Sequence, residues 1–417
     1  MQKEPSKKCE IALVGGGLTT YMMATILHHS GYDFVWFSGP ENTQNTARDT
    51  RTTTLHHVGM VMLKTLGVWD ALAADAWPLT DIYVKIAERQ GSEFGPFRTK
   101  EASAWPLHFS ADNLAMGYVV DNQDLKDALA PFAKQAKRYP RTITSFTPAS
   151  PNKLTDDTGQ SWVCDLVIAC DGPSSALRKQ AGLKAKLQAR GQTAIVTNIQ
   201  TSRAINHTAW QIFCPLGPLA LMATGAHQAS VVWTVSDSRA AEIADLDAAA
   251  FNRELQASFG KSLGDLSVCS ERLVWPLRPV FVPKCTTEGF VLAGDAAHAL
   301  HPLAGMGYNL ALGDAAILLD CLQNARARGL PAGHISMTNA YQRRRAAEVF
   351  ALTGVTQTLD RMLSRKAGLL TTLSAAGMAV LGKTAFRQQI SKIAMGHQTA
   401  QAPLAHIFSH ALLIADS

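Results

Sequence analysis

Between Gly294 and Asn309 the chain runs G-D-A-A-H-A-L-H-P-L-A-G-M-G-Y-N, which sets an aspartate, two histidines, a proline and three glycines in one short stretch. Asp295 can accept hydrogen bonds from ribose-like hydroxyls. Backbone amides around Gly305, Met306 and Gly307, where a helix is expected to start, attract negative charge. His298 and His301 are the titratable groups beside them. Together these residues suit a polar ligand that carries phosphate. A second glycine cluster, Gly15-Gly16-Gly17-Leu18-Thr19-Thr20, follows the apolar run from Ile11 to Val14. There Gly15 permits a tight turn and Gly17 lets a pyrophosphate approach the backbone at a helix N-terminus. Two positions weaken this cluster. Thr20 occupies the third glycine position, and Ser38 ends the next strand where dinucleotide folds usually carry an acid for the adenosine ribose. A serine hydroxyl cannot supply a charged, bidentate acceptor; Glu41 is close enough in sequence to substitute.

Elements must hold these groups in place. Ile11 to Val14, a helix to about His29 and the strand Phe34 to Phe37 form a βαβ opening. Phe290 to Ala293 reads as a buried strand; Ala296 to Pro302 then bends the chain, and an alanine-rich helix begins near Tyr308. Trp162 to Cys170 is another strand, feeding Asp171-Gly172-Pro173-Ser174-Ser175-Ala176-Leu177-Arg178, in which Ser175 is a helix N-cap candidate. Met116 to Leu129 gives a strand and then a helix. From Lys184 to Pro276 the pattern changes to strands at Thr193 to Ile199, Ala209 to Phe213, Leu219 to Ala223 and Ser230 to Ser236, with one helix near Ala240 to Phe259. Trp210, Phe213 and Trp233 read as core of that sheet rather than as ligand contacts.

Several stretches carry a resemblance. G-D-A-A-H-x-x-H-P-x-A-G-x-G-x-N-L, D-G-x-x-S-x-x-R from Asp171 to Arg178, D-x-R-x-x-x-L from Asp49 to Leu55 and L-G-x-W-D-A-L from Leu66 to Leu72 are similar to the motifs of the single-component FAD-dependent aromatic hydroxylases. Within them the chain looks most like the branch that acts in ubiquinone biosynthesis. The resemblance covers about residues 9 to 396. It implies an α/β fold like that of para-hydroxybenzoate hydroxylase: a Rossmann-like FAD-binding domain with an inserted antiparallel β-sheet substrate domain and a helical C-terminus. The corresponding boundaries are 9–75, 101–183 and 277–340 for the discontinuous FAD-binding domain, and 76–100 with 184–276 for the substrate sheet. Residues 341–396 are C-terminal helices and 397–417 an unassigned tail. FAD contacts are implied for Gly15, Gly17, Ser38, Arg51, Asp171, Gly172, Arg178, Asp295, Gly305, Met306, Gly307 and Asn309, with the Asp171 motif also serving the passing nicotinamide. Pro302, His298 and His301 lie beside the flavin, the histidines either as titratable groups or as structural caps of the loop. Four positions depart from the branch. Met306 stands for glutamine, Gly313 for the arginine before Asp314, Gln123 for arginine, and Ser38 for glutamate.

The activity implied is hydroxylation of the aromatic ring of a polyprenylated phenol or quinone precursor, with NAD(P)H as co-substrate and dioxygen. A second reading, motivated by Ser38, Thr20, Gln123 and Met306, is a non-catalytic flavoprotein-like scaffold among ubiquinone-biosynthesis complex proteins. A third is hydroxylation of a soluble aromatic compound. The 417 residues are 47% hydrophobic and 17% charged, with a net charge of +6 and basic residues scattered along the chain. This gives nucleic-acid binding little support. Seven cysteines without C-x-x-C spacing point to a reducing compartment, and no His/Cys cluster has metal-ligand spacing. Met1 to Glu10 is polar and does not read as a signal peptide. Ala367 to Gly382 is uncharged and flanked by Arg365, Lys366, Lys383 and Arg387. As a helix it would extend about 24 Å, short of a bilayer core of roughly 30 Å, so peripheral contact with the cytoplasmic face of an inner membrane is expected rather than spanning.

Overall fold

The structure is a computed structural model that describes residues 5–40, 49–86, 107–110, 115–187, 191–214, 216–299, 306–346 and 349. Its first sheet has four consecutive parallel pairings, joining Phe290–Leu292, Ser161–Ala169, Lys7–Val14, Phe34–Phe37 and Lys137–Tyr139 in that order. Helices Leu18–His29 and Met306–Ala327 pack against each other, and the first also meets helix Asn122–Ala133. The central strands are apolar without alternation, as sheets covered on both faces require; Ile11, Leu13, Leu166, Ile168, Phe290 and Val291 are fully buried. Register does the rest. Val14 pairs with both Ala169 and Phe37, and Ala169 pairs with Leu292. The strands therefore end level, and the loops beginning at Gly15, Ser38, Cys170 and Ala293 emerge along one carboxyl edge, where open α/β sheets bind ligands.

The second sheet runs Leu266–Val268, Gln192–Thr201, Gln228–Ser236, Gly217–Gly225, Thr208–Cys214, Asp81–Ile86 and Leu107–Ser110, with Leu273–Pro276 also on the second of these. It departs from expectation in three ways. The Thr208–Cys214 strand pairs in parallel with Asp81–Ile86, so the sheet is mixed rather than wholly antiparallel. Residues 107–110, assigned by sequence to the cofactor domain, complete its edge. One expected helix is two, Asp237–Ala244 and Ala248–Phe259, because Asp247 accepts the Ala250 amide at 2.6 Å and caps a new start. Trp210 and Trp233 are sheet core on the side facing the second helix, where they meet Phe259 and Phe251 edge-on. Phe213 has the opposite parity and turns to the other face. A small sheet of Thr52–His56, Gly117–Asp121 and Trp77–Leu79 joins the two halves.

Gly15 shows how tightly the carboxyl edge is built. Its φ is +144°, and a Cβ there would lie 2.4 Å from the Cys170 carbonyl oxygen and 2.5 Å from Thr20 Oγ1. Thr20 is thus accommodated by the glycine it faces. Gly15→Ala is expected to lower stability by about 1–3 kcal/mol, read as a lower urea midpoint. Gly17→Ala, with φ −89° and nothing within 4 Å of an added Cβ, should leave the midpoint unchanged.

Candidate functional site

One buried carboxylate organises the loop after Leu292. Asp314 is 1% exposed and accepts three hydrogen bonds: from the Gly294 amide at 2.7 Å, His298 Nε2 at 2.7 Å and Arg345 Nε at 2.7 Å. Burial alone would raise its pKa. The charges of His298 and Arg345, with the hydrogen bonds from His298 and Gly294, outweigh that and hold it below the usual carboxylate value. Gly294 has φ +60°, and a Cβ there would strike Thr19 at 2.7 Å. Arg345 is equally buried, and its Nη2 also donates to the Leu310 carbonyl at 3.0 Å. The glycine at 313 now has a physical reason: a Cβ would stand 2.9 Å from Arg345 Nη1. The cation that the resembled branch carries beside the aspartate in sequence reaches it here from 31 residues away.

This hub shapes the chain on either side of it. Asp295 to His298 forms a helical turn at the beginning of the expected bend, and the long helix expected near Tyr308 covers Met306–Ala327. His298 is 3% exposed and its Nε2 faces Asp314, so of the two roles read for it the structural one fits; its ring is withdrawn from the open edge. Asp295 is exposed and makes no hydrogen bond among the described residues. Although solvent reaches it, surrounding protein removes enough water to raise its pKa. His298 opposes that rise, Asp314 reinforces it, and Arg51 opposes it.

Arg178 is 3% exposed; its Nη1 donates to the Ala296 carbonyl at 2.8 Å and its Nη2 to the Pro173 carbonyl at 2.9 Å. It braces the Asp295 turn from within, and burial lowers its pKa. Ser175 caps the following helix by accepting the Arg178 amide at 3.0 Å. Asp171 spends Oδ2 on the Leu177 amide at 3.3 Å, while Oδ1 is buried with no partner. Gly172 beside it turns the chain at φ +81°.

Arg51 is clamped by Asp49 through bonds of 2.8 and 2.7 Å, and its guanidinium lies 4.8 Å from the centre of the Trp275 ring. Hydrogen bonding to Asp49 raises its pKa. Ser38 donates its hydroxyl to the Gly39 carbonyl at 3.1 Å, a local use that replaces the expected acidic contact. Gly17 opens the first helix with no side-chain cap, and an added Cβ at Gly17 or Gly307 would meet, among the described residues, no atom within 4 Å beyond its chain neighbours and its own helix. Asn309 holds the long helix to the Thr52–His56 strand, its Nδ2 donating to the Thr54 carbonyl at 2.7 Å and its Oδ1 accepting the His56 amide at 2.9 Å. His301, Pro302, Gly305 and Glu41 lie outside the described residues. Sequence reading missed the Arg345 partner of Asp314 and the contact of Arg51 with Trp275, since no local spacing links either pair.

Open backbone at two helix starts, an unpartnered exposed carboxylate and an orphaned Asp171 oxygen line one edge. That donor and acceptor set fits a dinucleotide such as FAD. Residues 8–353 match the family model described as FAD binding domain. The chain is 29% identical to the ubiquinone hydroxylase UbiL of Rhodospirillum rubrum, over 86% of this chain and 82% of that one. It is 29% identical to the 3-demethoxyubiquinol 3-hydroxylase of Escherichia coli, over 82% and 87%, and 25% identical to the human ubiquinone biosynthesis monooxygenase COQ6, over 88% of each. Among solved structures, p-nitrophenol 4-monooxygenase PnpA of Pseudomonas putida superposes with a TM-score of 0.70 at 16% identity, covering 92% of this chain and 97% of that one. The FAD-dependent monooxygenase PqsL of Pseudomonas aeruginosa gives 0.71 at 16%, covering 86% and 97%.

Asp314→Ala should cost about 3–5 kcal/mol at neutral pH, because it strands a buried guanidinium. The wild-type carboxylate has a lower pKa folded than unfolded. Its contribution is therefore full above about pH 4 and is lost as pH falls through the folded value, so the variant's urea stability should depend less on acid. Gly313→Arg should destabilise the parent chain and be better tolerated alongside Arg345→Ala.

Proposed function

The chain belongs to the FAD binding domain family, and on that premise we propose that it hydroxylates the aromatic ring of a polyprenylated ubiquinone precursor, using FAD, NAD(P)H and dioxygen. FAD is the cofactor. The observation that carries the reading is the combination at the carboxyl edge of an unpartnered Asp295 with the open backbone of Gly17 and Gly307. The names of the ubiquinone hydroxylases to which the chain is similar over four-fifths or more of its length favour this substrate class over a soluble aromatic.

On this reading Asp295 would accept hydrogen bonds from the ribityl hydroxyls, and the amides at Gly17 and the helix start after it would take the pyrophosphate. Asp171 Oδ1 accepts a further hydrogen bond, and Arg178 and Asp314 keep the Asp295 turn in position from behind. Held there, FAD would supply the redox and oxygen-activating chemistry, with NAD(P)H and dioxygen as co-substrates. The second sheet excludes water and orients that ring. Half-buried Gln123 donates a hydrogen bond to Asp127 at 2.9 Å, and Thr20 has the room that Gly15 leaves it. Ser38 is the departure that favours weaker FAD affinity and, with it, the scaffold reading.

Membrane attachment by the region around Ala367 to Gly382 is part of the proposal. That segment lies outside the described residues, among which no helix is long and apolar enough to cross a membrane. Salt-sensitive flotation with anionic liposomes, reduced by truncation after Asp360, is the expected result. For catalysis, FAD-loaded protein should oxidise NAD(P)H several-fold faster when a prenylated phenol is added. Tight FAD binding with no reduction by either nicotinamide would instead support the scaffold.

A further inference from the structure

Strand Phe34–Phe37 is wholly apolar but for one group, the indole N–H of Trp36. Trp36 is fully buried, and a buried N–H is costly unless it finds an acceptor. It finds one in the glycine loop, where Nε1 donates to the Gly15 carbonyl at 2.8 Å. Two neighbours fix the ring. Tyr21, on the helix that follows the loop, meets it edge-on at 4.9 Å, and the Arg138 guanidinium lies 4.9 Å from its centre. The backbone is knit to the same strand end. The Gly15 amide donates to the Phe37 carbonyl at 2.9 Å, and a Cβ at Gly16 would stand 2.8 Å from the Ser38 carbonyl oxygen.

The Gly15 carbonyl and the Gly16 amide belong to one peptide unit. In a trans peptide, C=O and N–H lie in one plane and point in opposite directions. With the carbonyl turned inward onto the indole, the Gly16 N–H is turned outward. Burial agrees with this. Gly15 is buried, Gly16 and Gly17 are exposed, and the Gly16 amide has no acceptor among the described residues. It stands at the carboxyl edge beside the open helix start at Gly17. Glycine on both sides of the unit offers little steric resistance to its rotation. Rotated, it would present the Gly15 carbonyl oxygen to an anion in place of an N–H. The indole is the side chain that opposes this.

We propose that Trp36 is a positioning residue for FAD, its indole holding the Gly15–Gly16 peptide so that the Gly16 N–H meets the pyrophosphate. This rests on the FAD reading above. The test titrates FAD into the full-length chain, following the quenching of FAD fluorescence, and records the urea midpoint of the same protein without FAD. Trp36→Phe keeps a ring in the core and removes the N–H. A second variant carries benzothienylalanine at position 36, a tryptophan analogue that keeps the two-ring shape with sulfur in place of the N–H. Each should bind FAD about tenfold more weakly than wild type, the size of one hydrogen bond to a charged group. A structural role alone would lower the urea midpoint and leave the FAD affinity of the folded protein unchanged. That result overturns the proposal and leaves the hydroxylase reading intact. Should Trp36→Phe not fold, the analogue, which preserves the packing, decides. Wild-type protein that does not quench FAD overturns both.

Discussion

A carboxylate with almost no access to water governs this fold. Removing a charge from solvent costs several kcal/mol, and the cost is offset only where partners meet its lone pairs with good geometry. Asp314 finds three donors within 2.7 Å: a backbone amide, an imidazole and a guanidinium. Each donor belongs to a different requirement of the site. The Gly294 amide fixes the end of the central strand, His298 fixes the helical turn that begins with Asp295, and Arg345 ties the 335–346 helix to the cofactor side. Tyr341, one turn earlier on that helix, donates to the Leu292 carbonyl at 3.2 Å and fastens the same strand end.

Because the turn is held from inside, its outer face is free. Asp295 needs no protein partner, and Gly17 and Gly307 need no side chain, so the edge presents acceptors and amides to a ligand. Across the small bridging sheet the opposite economy holds. There Thr54 meets Met222, and neighbouring polar atoms on both walls stay unmatched. On the proposed reading, the open edge takes the cofactor.

The cofactor half was legible because its chemistry is local. Glycines at Gly15, Gly172 and Gly294 are each demanded by a positive φ, and each stands within a few residues of the group it serves. Ser175 as a cap, and Trp210 and Trp233 as core, were also readable, since capping and strand parity act over short spans. What was not legible depends on distance in sequence. Gly313 looked like the loss of an ion pair, and only the fold shows Arg345 filling the space the glycine leaves. The parallel pairing of Thr208–Cys214 with Asp81–Ile86 has no local signature either, nor does the stacking of Arg51 on Trp275.

The claim that this framework supports oxygen transfer, and does more than hold a flavin, is tested most directly with labelled dioxygen. FAD-loaded protein is supplied with NAD(P)H, a prenylated phenol and ¹⁸O₂ in ordinary water, and the product is weighed. A hydroxylated ring carrying one atom of the label is the expected product. Nicotinamide consumed while the phenol is recovered unchanged, or a product whose new oxygen comes from water, would contradict oxygen transfer by this site.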